Sequence, residues 1–109
     1  MSYEVIAIPK FRKEIKRLSK KYPSFKRDFS TFIEEITENP IQGTQLGNNC
    51  YKLRLSIKSK GKGKSAGARI IINVVISKSK VYLLSIYDKS EKENLSNKEL
   101  NDLLRLIQS

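Results

Sequence analysis

Histidine is absent from this 109-residue chain, and so is tryptophan. Without histidine, the commonest metal ligand and the commonest general base are both gone. A single cysteine, Cys50, excludes an intramolecular disulfide and a cysteine-based zinc site. No apolar run approaches the length of a membrane span, and none near the N-terminus reads as a signal peptide. A cytoplasmic protein without membrane contact is therefore expected. Acids are scarce as well: 11 Asp and Glu stand against 22 Lys and Arg, for a formal net charge of +11. Folding does not need that excess, and self-repulsion makes it mildly costly. The usual compensating partner is a polyanion.

What is present fits one domain, residues 1–109, with a modest core. Residues 3–8 read as a short strand stopped by Pro9. Phe11, Ile15, Leu18 and Tyr22 then make one helical stripe, with lysines and arginines on the other faces. Pro23 suits a first helical position, and Phe25, Phe29, Phe32, Ile33 and Ile36 form a second stripe ended by Asn39 and Pro40. Two helices joined almost directly make a helical hairpin. Residues 41–49, rich in Gly, Gln and Asn, read as a loop. From Cys50, the apolar Tyr51, Leu53, Leu55 and Ile57 alternate with Lys52, Arg54, Ser56 and Lys58, which predicts a strand with one cationic face. A Gly/Lys/Ser loop at 59–67 leads to a nearly continuous apolar strand at 68–76, as for a central strand covered on both faces. A turn at 77–80, a strand at 81–87 and a terminal helix capped by Ser96 or Asn97 complete the chain. The predicted order is β-α-α-β-β-β-α: an α+β fold, with a helical hairpin packed on a small, largely antiparallel sheet.

The charge is blocked. Residues 10–27 hold nine bases and one acid, residues 52–69 seven bases and no acid, and residues 28–38 four acids and no base. Two basic blocks, one helical and one on a strand and its loop, frame a groove for a phosphate backbone. The helical block (Lys13, Lys16, Arg17 and Lys20 among it) is in large part what any soluble helix face carries. The strand block is harder to dismiss. Lys52 and Arg54 point to one side, and Lys58, Lys60, Lys62 and Lys64 follow. Edge protection needs fewer cations than that.

If the chain is a nuclease, then with no histidine and almost no carboxylate in these blocks neither a metal nor another cofactor is expected. The chemistry left is attack of an RNA 2′-hydroxyl on its own phosphate. It needs a base, cations for the phosphorane and an acid for the 5′-oxygen. Crowding by like charge brings a lysine toward the range useful for a base, while arginine keeps its charge.

The segments Cys50-Tyr51-Lys52-Leu53-Arg54-Leu55, Gly67-Ala68-Arg69-Ile70-Ile71 and Leu84-Ser85-Ile86-Tyr87-Asp88-Lys89 resemble the RelE/ParE superfamily of bacterial toxins. The lysine–glycine loop and the Ile-Tyr-Asp-Lys-Ser-Glu segment look like its HigB/RelE branch. The resemblance implies a type II toxin that cuts mRNA in the ribosomal A site and is neutralised by a cognate antitoxin. Outside that complex the toxin is expected to be a monomer. It also implies a share in general-base work for Lys52, phosphate stabilisation by Arg54 and Arg69, and a cationic role at the leaving group for Lys89. Tyr87 would stack on a base or donate a proton. Lys13, Lys16, Arg17, Lys20, Lys58, Lys60, Lys62 and Lys64 would hold mRNA or ribosomal RNA. Family members often carry a later catalytic tyrosine, but Tyr87 is the last one here.

Plainer roles compete for several of these residues. Tyr51 and Tyr82 suit packing, the four phenylalanines a core, and Cys50 a buried strand start. Lys89 beside Asp88 and Glu91 fits a surface salt bridge almost as well as catalysis. At the level of function, a ParE-like gyrase poison on the same fold would not need the Lys52/Arg54/Arg69 cluster. In a double-stranded RNA-binding domain the Gly-Lys-Ser patch would open a helix, whereas here it runs into an isoleucine-rich strand.

Overall fold

The computed structural model describes residues 2–60, 67–92 and 94–107. Strand β1 (Glu4–Ala7) is followed by helices α1 (Pro9–Lys21) and α2 (Phe25–Glu38). Strands β2 (Thr44–Gly47), β3 (Cys50–Leu55), β4 (Ala68–Val75) and β5 (Lys80–Asp88) come next, and helix α3 (Asn97–Arg105) ends the fold. The strands form one five-stranded sheet in the order β1-β5-β4-β3-β2. All neighbours are antiparallel except β1 and β5, which run parallel.

The α+β expectation and its predicted elements are found, with one addition. The Gly/Gln/Asn segment contains β2, an edge strand pairing Thr44 with Lys52 and Gln45 with Tyr51. It has little apolar alternation because it is exposed, and its backbone pairing is what defines it. Two boundaries also move. β3 stops at Leu55, so Lys58 sits in a single 3-10 turn (Lys58–Lys60), and α2 begins at Phe25 rather than at Pro23.

Helices α1 and α2 supply Phe11, Leu18, Phe25, Phe32 and Ile36 to the core, all buried. Phe29 joins the ring cluster, 5.7 Å from Phe25 and 5.9 Å from Phe11. β4 lies mid-sheet, and Ile70, Ile71 and Ile72 are fully buried. Each buried isoleucine contributes roughly 1.5–3 kcal/mol. This is the covered central strand that its unbroken apolar run predicts. β1 pairs β5 only as far as Leu83, and beyond it Glu14 of α1 accepts the Ile86 N–H at 3.1 Å. That bond satisfies a sheet donor that would otherwise be buried without a partner. α3 lies over Tyr87 with Leu100 and Leu103 buried beneath it. Ser96, one of the two predicted caps, makes a reciprocal capping box with Glu99. No described helix is long and apolar enough to cross a membrane.

Candidate functional site: a cationic cleft

Side chains alternate along a strand, so Lys52 and Arg54 project from the same side of β3. The register places Arg69 of β4 directly opposite Arg54, and Tyr87 of β5 directly opposite Arg69. Directly opposed residues have Cβ atoms about 4.5–5.5 Å apart, which makes the two guanidinium groups neighbours. Lys89 follows the end of β5, where its backbone N–H reaches the Gly67 carbonyl at 3.4 Å.

Lys52, Arg54, Arg69 and Lys89 line one cleft of about 450 Å³, together with Thr44 and Asn94. None of its described lining residues is a carboxylate. Arg69 is 7% exposed and forms no ion pair with a described residue; its guanidinium donates to the Ala68 carbonyl at 3.3 Å. Burial lowers its pKa and neighbouring Arg54 lowers it further, against a smaller opposite effect of Tyr87. Arginine still keeps its proton in such a place. The result is a buried positive charge with no anionic partner among the described residues. Lys52 Nζ lies 3.4 Å from Asn94 Oδ1, which tethers it at the cleft wall. Gly43, also in the lining, has φ +82°, and a Cβ there would fall 2.3 Å from the Lys52 carbonyl oxygen. β2 can approach β3 so closely only with glycine at that corner.

The structure thus brings together four of the five predicted catalytic residues. The fifth, Tyr87, does not face the cleft. It is 6% exposed and lines a separate apolar cavity of about 320 Å³ under α3, with Leu95, Leu103 and Leu106. Its hydroxyl is buried and finds no hydrogen-bond partner among the described residues. Burial raises its pKa, Arg69 pulls it down and Glu99 pushes it up. The alternation that aligns Tyr87 with Arg69 puts both on one sheet face, but α3 covers the tyrosine.

The predicted RNA-binding lysines divide. Lys58 is exposed in a separate depression that also takes in Arg54 and the acids Asp28 and Glu35. Lys13, Lys16, Arg17 and Lys20 form an exposed row on α1, where Arg17 meets Glu91 at 3.2 Å. Lys60 belongs elsewhere. Its side chain is 11% exposed and pairs with the fully buried Asp88 at 2.7 Å. Expected to hold RNA, Lys60 here neutralises a buried acid. Lys62 and Lys64 lie outside the described residues. Asp88 pairs with Lys60 and Lys21, not Lys89, so the salt bridge first considered for Lys89 is absent among the described residues. Asp88 does cap a turn, accepting from the Ser90 N–H at 2.9 Å and the Ser90 hydroxyl at 2.7 Å. Cys50 is buried, and burial pushes its thiol pKa up, as for an inert strand residue. Thr44 and Asn94 are not legible as lining residues, because only the fold brings β2 and the segment before α3 to β3.

Among the described residues, no cluster of His, Cys, Asp and Glu is placed to hold a metal ion. The fold is similar to that of a mutant Escherichia coli toxin RelE in the free state, at 19% identity and TM-score 0.66, over 99% of this chain and 100% of that one. It is also similar to the intact E. coli RelBE toxin–antitoxin complex, at 21% identity and TM-score 0.63, over 80% and 96%. A RelBE toxin–antitoxin complex from Mycobacterium tuberculosis matches at 12% identity and TM-score 0.56, over 81% and 99%. The family model for the RelE toxin of the RelE/RelB toxin–antitoxin system matches residues 10–108. The chain belongs to the RelE toxin family of RelE/RelB toxin–antitoxin systems.

Proposed function

We propose that this RelE-family toxin is an endoribonuclease that cuts mRNA, in the ribosomal A site, by metal-independent attack of the 2′-hydroxyl on the adjacent phosphate. The observation that carries this reading is the convergence of Lys52, Arg54, Arg69 and Lys89 in one cleft with no carboxylate among its described lining residues. Such a site binds a phosphodiester and repels a divalent cation. Arg54 and Arg69 gain most as negative charge builds on the phosphorane oxygens, which makes their contribution one of transition-state stabilisation. Lys52 is placed to take part in deprotonating the 2′-hydroxyl, and Lys89 to stabilise the departing 5′-oxygen. The substrate is RNA because DNA lacks the attacking group. Lys58 and the α1 row of Lys13, Lys16, Arg17 and Lys20 supply longer-range attraction to mRNA or ribosomal RNA.

The partner that neutralises such a toxin is a cognate antitoxin. The E. coli relative has been solved as a toxin–antitoxin complex. For this chain, an acidic or amphipathic segment laid over Lys52, Arg54 and Arg69 matches the charge of the cleft. The reaction is tested by incubating the toxin with mRNA on purified ribosomes and identifying the new ends. A 2′,3′-cyclic phosphate or its hydrolysis product is expected. Ends carrying a 3′-hydroxyl would contradict the reading.

A further inference from the structure

One buried acid has no part in the proposed chemistry, yet it sits between two candidate site residues. Asp88 is fully buried, and its side chain meets four others. Its carboxylate accepts from Lys60 Nζ at 2.7 Å, from the Ser90 hydroxyl at 2.7 Å and from the Tyr22 hydroxyl, with Lys21 Nζ at 3.7 Å. Its own carbonyl receives the N–H groups of Glu91 and Lys92, at 3.0 and 3.1 Å. These bonds tie together the C-terminal end of α1, the Lys58–Lys60 turn and the turn that leaves β5. Burial alone would raise the Asp88 pKa, but the hydrogen bonds from Lys60, Tyr22 and Ser90 hold it well below the usual carboxylate range. Asp88 pairs with Ala68 at the last rung of the β4–β5 ladder, and the next residue, Lys89, enters the cleft.

We propose that Asp88 is a positioning residue that holds Lys89 in the cleft by anchoring the turn after β5 to α1 and to the Lys58–Lys60 turn. This rests on the reading of the cleft as an RNA phosphate site. Lys89 makes no ion pair with a described residue, so its location depends on its backbone. That backbone is fixed on one side by the Gly67 carbonyl and on the other by Asp88. Position 67 admits no residue larger than glycine in this conformation, since a Cβ there would lie 2.1 Å from the Leu55 carbonyl oxygen. Loss of the anchor lets the ammonium wander by about an ångström, enough to cost on the order of a hundredfold where alignment matters.

The sign of the electrostatics makes the claim testable. Asp88→Asn removes a negative charge and so raises the net charge by one, which by charge alone tightens RNA binding. The anchor predicts the opposite. Full-length wild type, Asp88→Asn, Lys89→Ala and the double variant are compared in two assays. One is ribosome-dependent cleavage, and the other is the salt dependence of affinity for a non-cleavable 2′-O-methyl oligoribonucleotide. Asp88→Asn should cut roughly ten- to a hundredfold more slowly. Its log Kd against log salt slope should fall by about 0.7, as it does when one phosphate contact is lost and as Lys89→Ala should show. The double variant should be no worse than Lys89→Ala alone. Full additivity, or tighter binding with a steeper slope, would overturn the proposal. Should Asp88→Asn fail to fold, Ser90→Ala removes one anchor bond while keeping the buried acid paired, and a smaller change in the same direction is expected; no change would count against the anchor. If wild type binds the oligonucleotide but cuts nothing, the nuclease reading fails while the slopes still decide the role of Asp88.

Discussion

Replacing Arg69 with methionine should make the protein more stable and less active. Arg69 is buried, lies directly across from Arg54 and has no acidic partner among the described residues. Like charges directly opposed on adjacent strands cost up to about 1 kcal/mol. Desolvation of an uncompensated cation costs several kcal/mol more when complete, but the open cleft lets water and counterions recover part of that. Methionine keeps the length and apolar stem, and gives up only the 3.3 Å bond to the Ala68 carbonyl, a contribution of about 1 kcal/mol. The net gain is about 1–3 kcal/mol. A domain of this size gains about 4 °C in Tm per kcal/mol, so thermal unfolding by circular dichroism should move up by about 4–12 °C. The gap should narrow as salt rises, because the repulsive part is screened and the desolvation part is not. A short RNA should raise the wild-type Tm more than that of the variant, since the anion supplies the missing partner. If Arg69→Met melts below wild type in low salt, the guanidinium is holding the fold together, and its reading as a charge kept for a ligand would be wrong.

Three further expectations follow from local geometry. Gly43→Ala meets both a left-handed backbone at φ +82° and the Lys52 carbonyl. It should cost about 2 kcal/mol or more in denaturant unfolding, and an unchanged midpoint would mean the corner is not rigid. Glu99 is held down to a pKa of about 2, first by Lys92 and then by the Ser96 N–H. Its folded value lies below the unfolded one, so its support of α3 is complete above about pH 4.3 and fades as pH falls toward 2. Amide exchange in α3 should therefore accelerate between those pH values before the sheet responds; Glu99→Gln should lose that dependence, and its persistence in the variant would assign it to another group. The Tyr87 hydroxyl is buried without a partner among the described residues, so Tyr87→Phe should leave stability unchanged or raise it by about 1 kcal/mol. A clear loss of Tm would show that the hydroxyl is bonded in solution.

The elements with a strong apolar period are legible in the sequence. The stripes of α1 and α2, the unbroken isoleucines of β4 and the Ser96–Glu99 cap each state their structure locally. β2 is not, because an exposed edge strand buries little and is defined by its partner's backbone. The same limit applied at the cleft. Residue alternation was enough to put Lys52 and Arg54 on one side, but only the β3–β4 register could bring Arg69 opposite Arg54. Lys60 and Tyr87 lie away from the cleft for a common reason: composition marks a residue as charged or aromatic, and tertiary packing decides what covers it. Lys60 turned inward to Asp88, and α3 closed over Tyr87. Asn94 reaches Lys52 across 42 positions of sequence, a distance at which no pattern speaks.

The most direct measurement is a map of new 5′ ends on abundant mRNAs after brief induction in bacteria, beside a Lys52→Ala/Arg54→Ala/Arg69→Ala triple variant. Cuts in register with codons, present for wild type and lost in the variant, are the predicted result. Growth arrest with intact mRNA, or cuts that survive loss of all three side chains, would contradict the cleft as the site of RNA cleavage.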